Sequence, residues 1–351
     1  ADPSDCVQTS CEFTANPGAI EAEEAWHWGY DPLPAADPTR PDVWNTPAAG
    51  RVYDANCDGE VNEADPTNIV FVSGNLGATT CITGGNCANG ILRMLDARSG
   101  EELWMLENAE PASAGFAGVS VALADVDGDT DIEIVALTGE GKFAVIGPDG
   151  TVEHLSTATV SAAASANFGW GGAIAVADVD GNGMAEMAYG ADVFSLNGGS
   201  LGLLFAGTGS SGGPDHYAQS YFAQVDGGGD LELVAGRSVY QSSGMLVWEN
   251  PSIGDGPTAV ADFNQNGSPE VVVVSAGNLY ILEGSTGMII FGPHSIAGNG
   301  SGGAPTIADF DGDGSPEIAV VMQNFTTVME PNFNTNSIDT LWSQINHDNS
   351  S

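Results

Sequence analysis

Short apolar runs alternate with tight polar turns along nearly the whole chain. The runs span four to six residues, are rich in Val, Ile and Ala, and suit strands rather than free-standing helices. They recur as one phrase. A lead-in strand of small residues, such as Gly172-Ala-Ile-Ala-Val-Ala-Asp178, enters an acidic loop. A β-branched strand follows, as in Glu270-Val-Val-Val-Val274 and Glu317-Ile-Ala-Val-Val321. The third strand comes after a Gly-rich turn (Asn278-Leu-Tyr-Ile-Leu282), and the fourth after a Ser/Thr-Gly turn (Ser285-Thr-Gly-Met-Ile-Ile-Phe291). Gly, Asn, Asp and Pro fill the turns, as hairpins require.

The acidic loops begin at positions 54, 125, 178, 224, 262 and 309. Their spacing is 38 to 53 residues, except for a first interval of 71 that holds an insertion around residues 74–89. Four strands per unit of ~40–50 residues is the period of a propeller blade. The expected fold is therefore all-β: a β-propeller of four-stranded antiparallel blades, with six repeats in a six- or seven-bladed ring. Residues 43–351 form the propeller in this reading, and residues 1–42 an N-terminal segment that packs on the ring or completes it. Residues 19–25 are the nearest approach to an amphipathic helix. The last eleven residues, from Leu341 and Trp342 onward, look like the run-in to a further blade.

The loops carry the chemistry. Asp309, Asp311, Asp313, Ser315 and Glu317 occupy positions 1, 3, 5, 7 and 9 of the cleanest copy. Asp125, Asp127, Asp129, Asp131 and Glu133 repeat the spacing, as do Asp178, Asp180, Asn182, Met184 and Glu186, and Asp262, Asn264, Asn266, Ser268 and Glu270. Side-chain oxygens at 1, 3, 5 and 9, with a backbone carbonyl at 7, make the oxygen-rich set that a calcium ion takes. Gly183, Gly267 and Gly314 at position 6 permit the positive φ that folds the oxygens inward. A polar hairpin turn would explain one such loop, but not four in one register. The first loop is longer. Asp54, Asn56, Asp58, Glu60, Asn62 and Asp65 fit a twelve-residue calcium loop, followed by a strand instead of a helix. The loop at 224–232 has Gln224 at position 1 and Gly228 at position 5, and is expected to be a structural turn without metal. Four or five calcium ions are the expected cofactor.

Charge narrows the partners. The formal net charge is -41, with six Lys and Arg against 47 Asp and Glu. Nucleic acid and anionic membrane surfaces both require a basic face, which this chain lacks. No apolar stretch approaches a membrane span. Five cysteines lie at 6, 11, 57, 81 and 87, none with zinc spacing. Disulfides and an extracellular or cell-surface location are expected. Cys6 with Cys11 and Cys81 with Cys87 would leave Cys57 odd, while pairing of Cys57 with Cys81 or Cys87 is the alternative.

The Asp-x-Asp-Gly-Asp-Gly-x-x-Glu loop, set between an Ala-Asp strand and an Ile-Val strand, resembles the FG-GAP/VCBS repeat. That repeat builds integrin α-subunit propellers and many secreted bacterial proteins. Val43 to Ala48, Gly90 to Asp96 and Gly100 to Trp104 resemble the first blade of the bacterial branch. The resemblance covers residues 43–347. It implies fold and calcium, but leaves activity open, because the family holds adhesins, lectin-like domains and some polysaccharide lyases.

Other motifs weigh less. Residues 207–213 (Gly-Thr-Gly-Ser-Ser-Gly-Gly) spell both a dinucleotide fingerprint and a nucleophile elbow, but no helix follows, so they read as an inter-strand loop. The histidines at 27, 154, 216, 294 and 347 are scattered, with no metal spacing. Trp104, Trp248 and Trp342 share one place in their repeats, which points to packing between blades. Trp170, in a Gly-rich loop, is the aromatic expected at a carbohydrate-facing surface. The function expected is a binding or adhesion module for a protein or carbohydrate ligand. A secreted polysaccharide lyase or hydrolase is the first alternative. The second is a subunit of a surface filament that self-assembles through an incomplete last blade.

Overall fold

The computed structural model describes residues 24–75, 89–111, 113–165, 168–213, 217–332 and 337–345. Among them the chain is all-β, with one five-stranded and five four-stranded antiparallel sheets in sequence order, a separate two-stranded parallel sheet, and no α-helix. Blade one comprises Ala48–Gly50, Asn68–Gly74, Ile91–Asp96 and Glu102–Leu106. Blade two runs from Ala122–Ala124 through Glu133–Leu137 and Phe143–Ile146 to Val152–Leu155. Blades three to six begin at Ala175–Ala177, Ser220–Ala223, Thr258–Ala261 and Thr306–Ala308. Every acidic loop joins the first and second strands of its blade.

The first strands of successive blades lie side by side from blade one to blade six. They converge most closely, which explains their small residues: Ala122, Ala124, Ala175, Ala177, Ala223, Ala259 and Ala261. The second strands are buried on both faces, as in Glu133–Leu137, Glu186–Tyr189 and Glu270–Ser275. A strand flanked by blades on both sides needs no polar alternation, so its sequence is a largely apolar run, β-branched in Glu133–Leu137 and Glu270–Ser275. The core is accordingly divided into seams between blades. Val72, Leu92 and Met94 of blade one meet Ile134, Ala144 and Ile146 of blade two. Val272, Val274 and Ile281 of blade five meet Ile318, Val320 and Met329 of blade six.

Aromatic latches close several seams at the rim. Trp104 donates its indole N–H to the carbonyl of Pro148 at 2.9 Å, and its ring lies over Gly150 in the turn of the next blade. Trp248 does the same to Gly284 (2.7 Å) and Gly287, and Phe205 covers Gly244. A β-carbon at any of these glycines would fall 2.3–3.1 Å from the ring. The expected packing role of Trp104 and Trp248 is thus observed, while the side chain of Trp342 lies outside the described residues.

The outer face of blade one is covered by the segment preceding it. Trp26 donates to the carbonyl of Ala97 at 2.9 Å and lies over Gly100, the same latch that the other tryptophans make. Trp28 packs edge-on against Phe71, and the guanidinium of Arg93 sits 5.1 Å from the Trp28 ring. Arg93 is fully buried and pairs with Glu102, Ser73 and two backbone carbonyls of the segment. Asp42–Val43 then pairs with Ser73 and Gly74, extending the first strand of blade one.

One expectation is corrected. Ser337–Ile345 is the fourth strand of blade six, paired along Phe325–Asn332, so residues 341–345 are not the run-in to another blade. The last blade has its four strands. Cys6, Cys11, Cys81 and Cys87 lie outside the described residues, and Cys57, the one cysteine described, is exposed and has no disulfide partner among the described residues.

Candidate metal centres and an axial cavity

Antiparallel strands place the first-to-second and third-to-fourth turns at one end of each blade. The run-ins and second-to-third turns fall at the other end. The acidic loops therefore share one rim, and the opposite face is built by the run-ins.

The loops share a common hydrogen-bond plan. The carboxylate at position 1 accepts N–H groups from positions 4 to 6: Asp309 takes those of Gly312 (2.6 Å), Asp313 (3.1 Å) and Gly314 (3.0 Å). Asp262 and Asp178 do the same through the N–H groups of Asn266 and Gly267, and of Asn182 and Gly183. The side chain at position 3 accepts from position 5, and that at position 5 from position 7, as with Asp313 and Ser315 (2.7 Å). Glu at position 9 reaches back to the N–H of position 2. Glu133, Glu186, Glu232, Glu270 and Glu317 all make this clamp, at 2.6–3.0 Å. In the first loop Asp65 takes the clamp role, accepting from Ala55 (3.0 Å), Asn56 and Asn62. The N–H of Asn62, then those of Asn56 and Ala55, hold the Asp65 carboxyl below the usual range.

Three loops gather their oxygens tightly enough for a metal ion. Asp309, Asp311, Asp313 and Glu317 bring oxygens within 4.8 Å of one another, as do Asp125, Asp127 and Glu133, and Asp178, Asp180 and Glu186. Asp129 does not join its cluster. Glu317 provides the test of fit. It is fully buried, one carboxylate oxygen accepts from Phe310, and the other has no hydrogen-bond partner. A buried, unpaired carboxylate oxygen facing three aspartates is costly unless a cation sits against it. Burial likewise pushes the clamp carboxyls of Glu133 (to about 7), Glu186, Glu232 and Glu270 upward, with neighbouring aspartates adding to the effect.

The remaining loops differ in instructive ways. Loop 262–270 has two carboxylates, and the Asn264 amide donates to the second oxygen of Glu270. In loop 224–232 the Gln224 amide takes over. Its oxygen accepts from Asp226 (3.1 Å) and Gly227 (2.7 Å), the second bond matching one that a position-1 aspartate makes. Its NH2 donates at 2.7 Å to the carbonyl of Asp230, at the position 7 whose carbonyl is the expected ion ligand in the other loops. The sequence suggested a decayed turn; the structure shows an amide bridging the interior of the loop. Position 6 is left-handed in five loops: Gly59, Gly183, Gly267 and Gly314 at φ 86–92°, but also Thr130 at φ 85°. Cys57 and Gln265 occupy left-handed position 4.

On the opposite face, run-ins from several blades enclose a cavity of about 1330 Å³. Trp44, Gly209, Ser211, Tyr217, Arg237, Asp255, Ser275 and Ser301 are among its walls. Asp255 organises it, accepting from the Ser210 hydroxyl and the N–H groups of Ser211 (3.0 Å), Gly212 (3.2 Å) and Gly256 (2.8 Å). The segment 207–213, expected as an ordinary inter-strand loop, thus forms part of the wall. No local motif marks this cavity, because its residues come from different repeats. The strand Trp170–Ala173 pairs with Gly118–Ser120 beside it, but the side chain of Trp170 and all of His216 lie outside the described residues.

Comparison with known proteins agrees with the fold. Residues 262–320 match the FG-GAP-like repeat family, from the acidic loop of blade five to the second strand of blade six. No curated protein sequence matches the chain significantly. The biofilm matrix protein Bap1 of V. cholerae superposes with a TM-score of 0.63 at 26% identity, over 82% of this chain and 45% of that one. Rhamnogalacturonan lyase YesW follows at 0.55 and 14% identity, over 85% and 64%. The Bacillus licheniformis rhamnogalacturonan lyase PL11 gives 0.52 and 19%, over 87% and 54%. The chain spans about half the length of these structures. The fold is of the FG-GAP β-propeller type.

Proposed function

We propose that this chain is an extracellular, calcium-stabilised β-propeller that binds carbohydrate on the face opposite its metal loops. The observation that carries this reading is the axial cavity. At about 1330 Å³ it exceeds the ~300–1,000 Å³ typical of small-ligand sites, which suits a segment of a polymer. Trp44 and Tyr217 offer aromatic surface beside Ser211, Ser275 and Ser301, and aromatic rings with adjacent hydroxyls suit sugar rings. The likeness to a biofilm matrix protein supports the same reading. Among the described residues lining the cavity, the ionisable groups are Tyr217, Arg237 and Asp255. Burial raises the tyrosine, which opposes its use as a base, and the other two are held in internal contacts. Binding is favoured over catalysis on that ground.

Calcium serves as scaffold in this proposal. Four or five ions sit in the loops beginning at Asp54, Asp125, Asp178, Asp262 and Asp309, and pin the first turn of each blade. The loop beginning at Gln224 takes none. No helix among the described residues is long and apolar enough to cross a membrane.

The test is glycan binding by calorimetry on the calcium-loaded protein. Tyr217→Ala and Ser301→Trp, which places a large ring on an exposed part of the wall, should each weaken binding at least tenfold, and Ser301→Trp should do so with unchanged melting temperature. Binding that survives both substitutions would place the ligand elsewhere and refute the reading.

A further inference from the structure

The charge arrangement of the cavity bears on which carbohydrate it takes. Two charged side chains of opposite sign line it, and both are already engaged, although the buried Nε of Arg237 has no hydrogen-bond partner. Asp255 already accepts from one hydroxyl and three backbone N–H groups. Arg237 donates to the carbonyl of Ile253 at 2.6 Å and pairs with Glu249 at 3.1 Å. Its charge is compensated before any ligand arrives.

The cavity adjoins a second cleft at Gly209 and Ser211. That cleft, about 350 Å³, is lined by Ser161, Ser165, Tyr189 and Asp192. Asp192 adds a carboxylate, held by the N–H and hydroxyl of Ser161. Among the described residues around the two spaces there is one cation, Arg237, against three carboxylates, Asp192, Glu249 and Asp255. Beyond them lies a chain of net charge -41. A carboxylate-bearing ligand would enter a negative field and find, among the described residues, no cation without a carboxylate beside it. An uncharged sugar meets aromatic faces, hydroxyls and backbone groups and is spared that repulsion.

Resting on the cavity as the carbohydrate site, we propose that it selects an uncharged glycan strand, running from the axis into the adjoining cleft, and rejects polyuronates. The selection is electrostatic, so it should be strong at low salt and fade as salt screens it. Freeing Arg237 should reverse it.

The experiment pairs each neutral polysaccharide of a panel (dextran, galactomannan, β-glucan) with its own carboxymethyl derivative. Affinities are measured at ~20 mM and ~500 mM salt, with calcium just sufficient to fill the loops. The neutral member should bind at least tenfold tighter at low salt, and the gap should narrow at high salt. Glu249→Gln, which leaves Arg237 unpaired, should raise affinity for the carboxymethyl member at least tenfold. Asp192→Asn, an independent variant, should narrow the low-salt gap. A carboxymethyl derivative that binds equally or more tightly at low salt, and is lost in Tyr217→Ala, would overturn the charge selection while leaving the cavity as the site. Failure of every member to bind would overturn the carbohydrate reading itself, and this inference with it.

Discussion

Glu317→Gln should change the sign of its effect with calcium. The side chain is fully buried; one oxygen holds the N–H of Phe310 and the other has no partner. Glutamine keeps the shape and the first hydrogen bond. Its NH2 then meets Asp309, Asp311 and Asp313, to which it can donate, so the metal-free loop loses a buried unpaired charge. An unsatisfied buried group costs about 1–3 kcal/mol, more if charged. A chain of 351 residues at about 2.1 cal/mol/K per residue shifts its Tm by about 1.4 °C per kcal/mol. The variant should therefore melt about 1.5–4 °C above wild type in chelator. With calcium at a thousandfold over Kd, an intact site contributes about 4.1 kcal/mol, or about 6 °C. The variant has an amide where that ion needs an oxygen, and gains none of it. Plots of Tm against calcium concentration should cross. Glu232→Gln, in the loop held by Gln224, serves as control and should show no calcium-dependent difference. Parallel plots for Glu317→Gln would refute the argument: lower throughout would mean a clamp alone, and higher throughout would mean no ion at this site.

Thr130 is a β-branched residue at φ 85°, strain of about 1–3 kcal/mol. Thr130→Gly should raise stability by about 0.5–2 kcal/mol after the entropy cost of glycine, measured by urea denaturation. Trp26→Ala should cost about 3 kcal/mol, matching Trp104→Ala, with hydrogen exchange rising first in blade one; an effect below 0.5 kcal/mol would refute the latch. In chelator, stability should fall as pH rises. Glu133, Glu186, Glu232 and Glu270 have carboxyls raised in the folded state, so their contribution is complete below the ordinary carboxylate range and is lost as pH rises through each folded value, about 7 for Glu133. Urea midpoints that climb over that interval would contradict this. Gln224→Asp combined with Gly228→Asp should add one calcium ion to the count by calorimetry, whereas Gln224→Ala should lower Tm equally with and without calcium.

Much of the fold was legible because it is repetitive. Strand phrases, spacing and loop spelling all recur, and each copy corroborates the others. What escaped sequence reading was the set of contacts that do not repeat. The cavity draws Trp44, Gly209, Asp255 and Ser301 from different repeats, with no local signature. Trp26 reproduces the rim latch from outside the repeats, and its partner, Gly100 in the first Ser-Gly turn, looked like an ordinary hairpin glycine. The fourth strand of blade six was mistaken for a run-in because its third strand, Phe325–Asn332, is longer than the others and shifts the phrase. Thr130 fills a position whose backbone the other loops reveal, so the strain there was deducible from the glycines at 183, 267 and 314.

The loops also separate two properties that their spelling joins. The clamp from position 9 to position 2 is present in all five nine-residue loops, including the one with Gln224. Folding of the turn therefore does not require the full ion-ligand set. What changes from loop to loop is the partner for the inward-facing polar groups. Around Asp309 a carboxylate oxygen is left unpaired; around Asp262 an asparagine amide satisfies it; around Gln224 an amide bridges to the carbonyl. The more of that demand an amide meets internally, the less an ion adds. Calcium removal should then act unevenly: the loop of blade five empties before that of blade six, and blade four is indifferent. A chelator titration followed by ion counting reads that order directly, and emptying of blade six first would show that loop rigidity outweighs ligand charge.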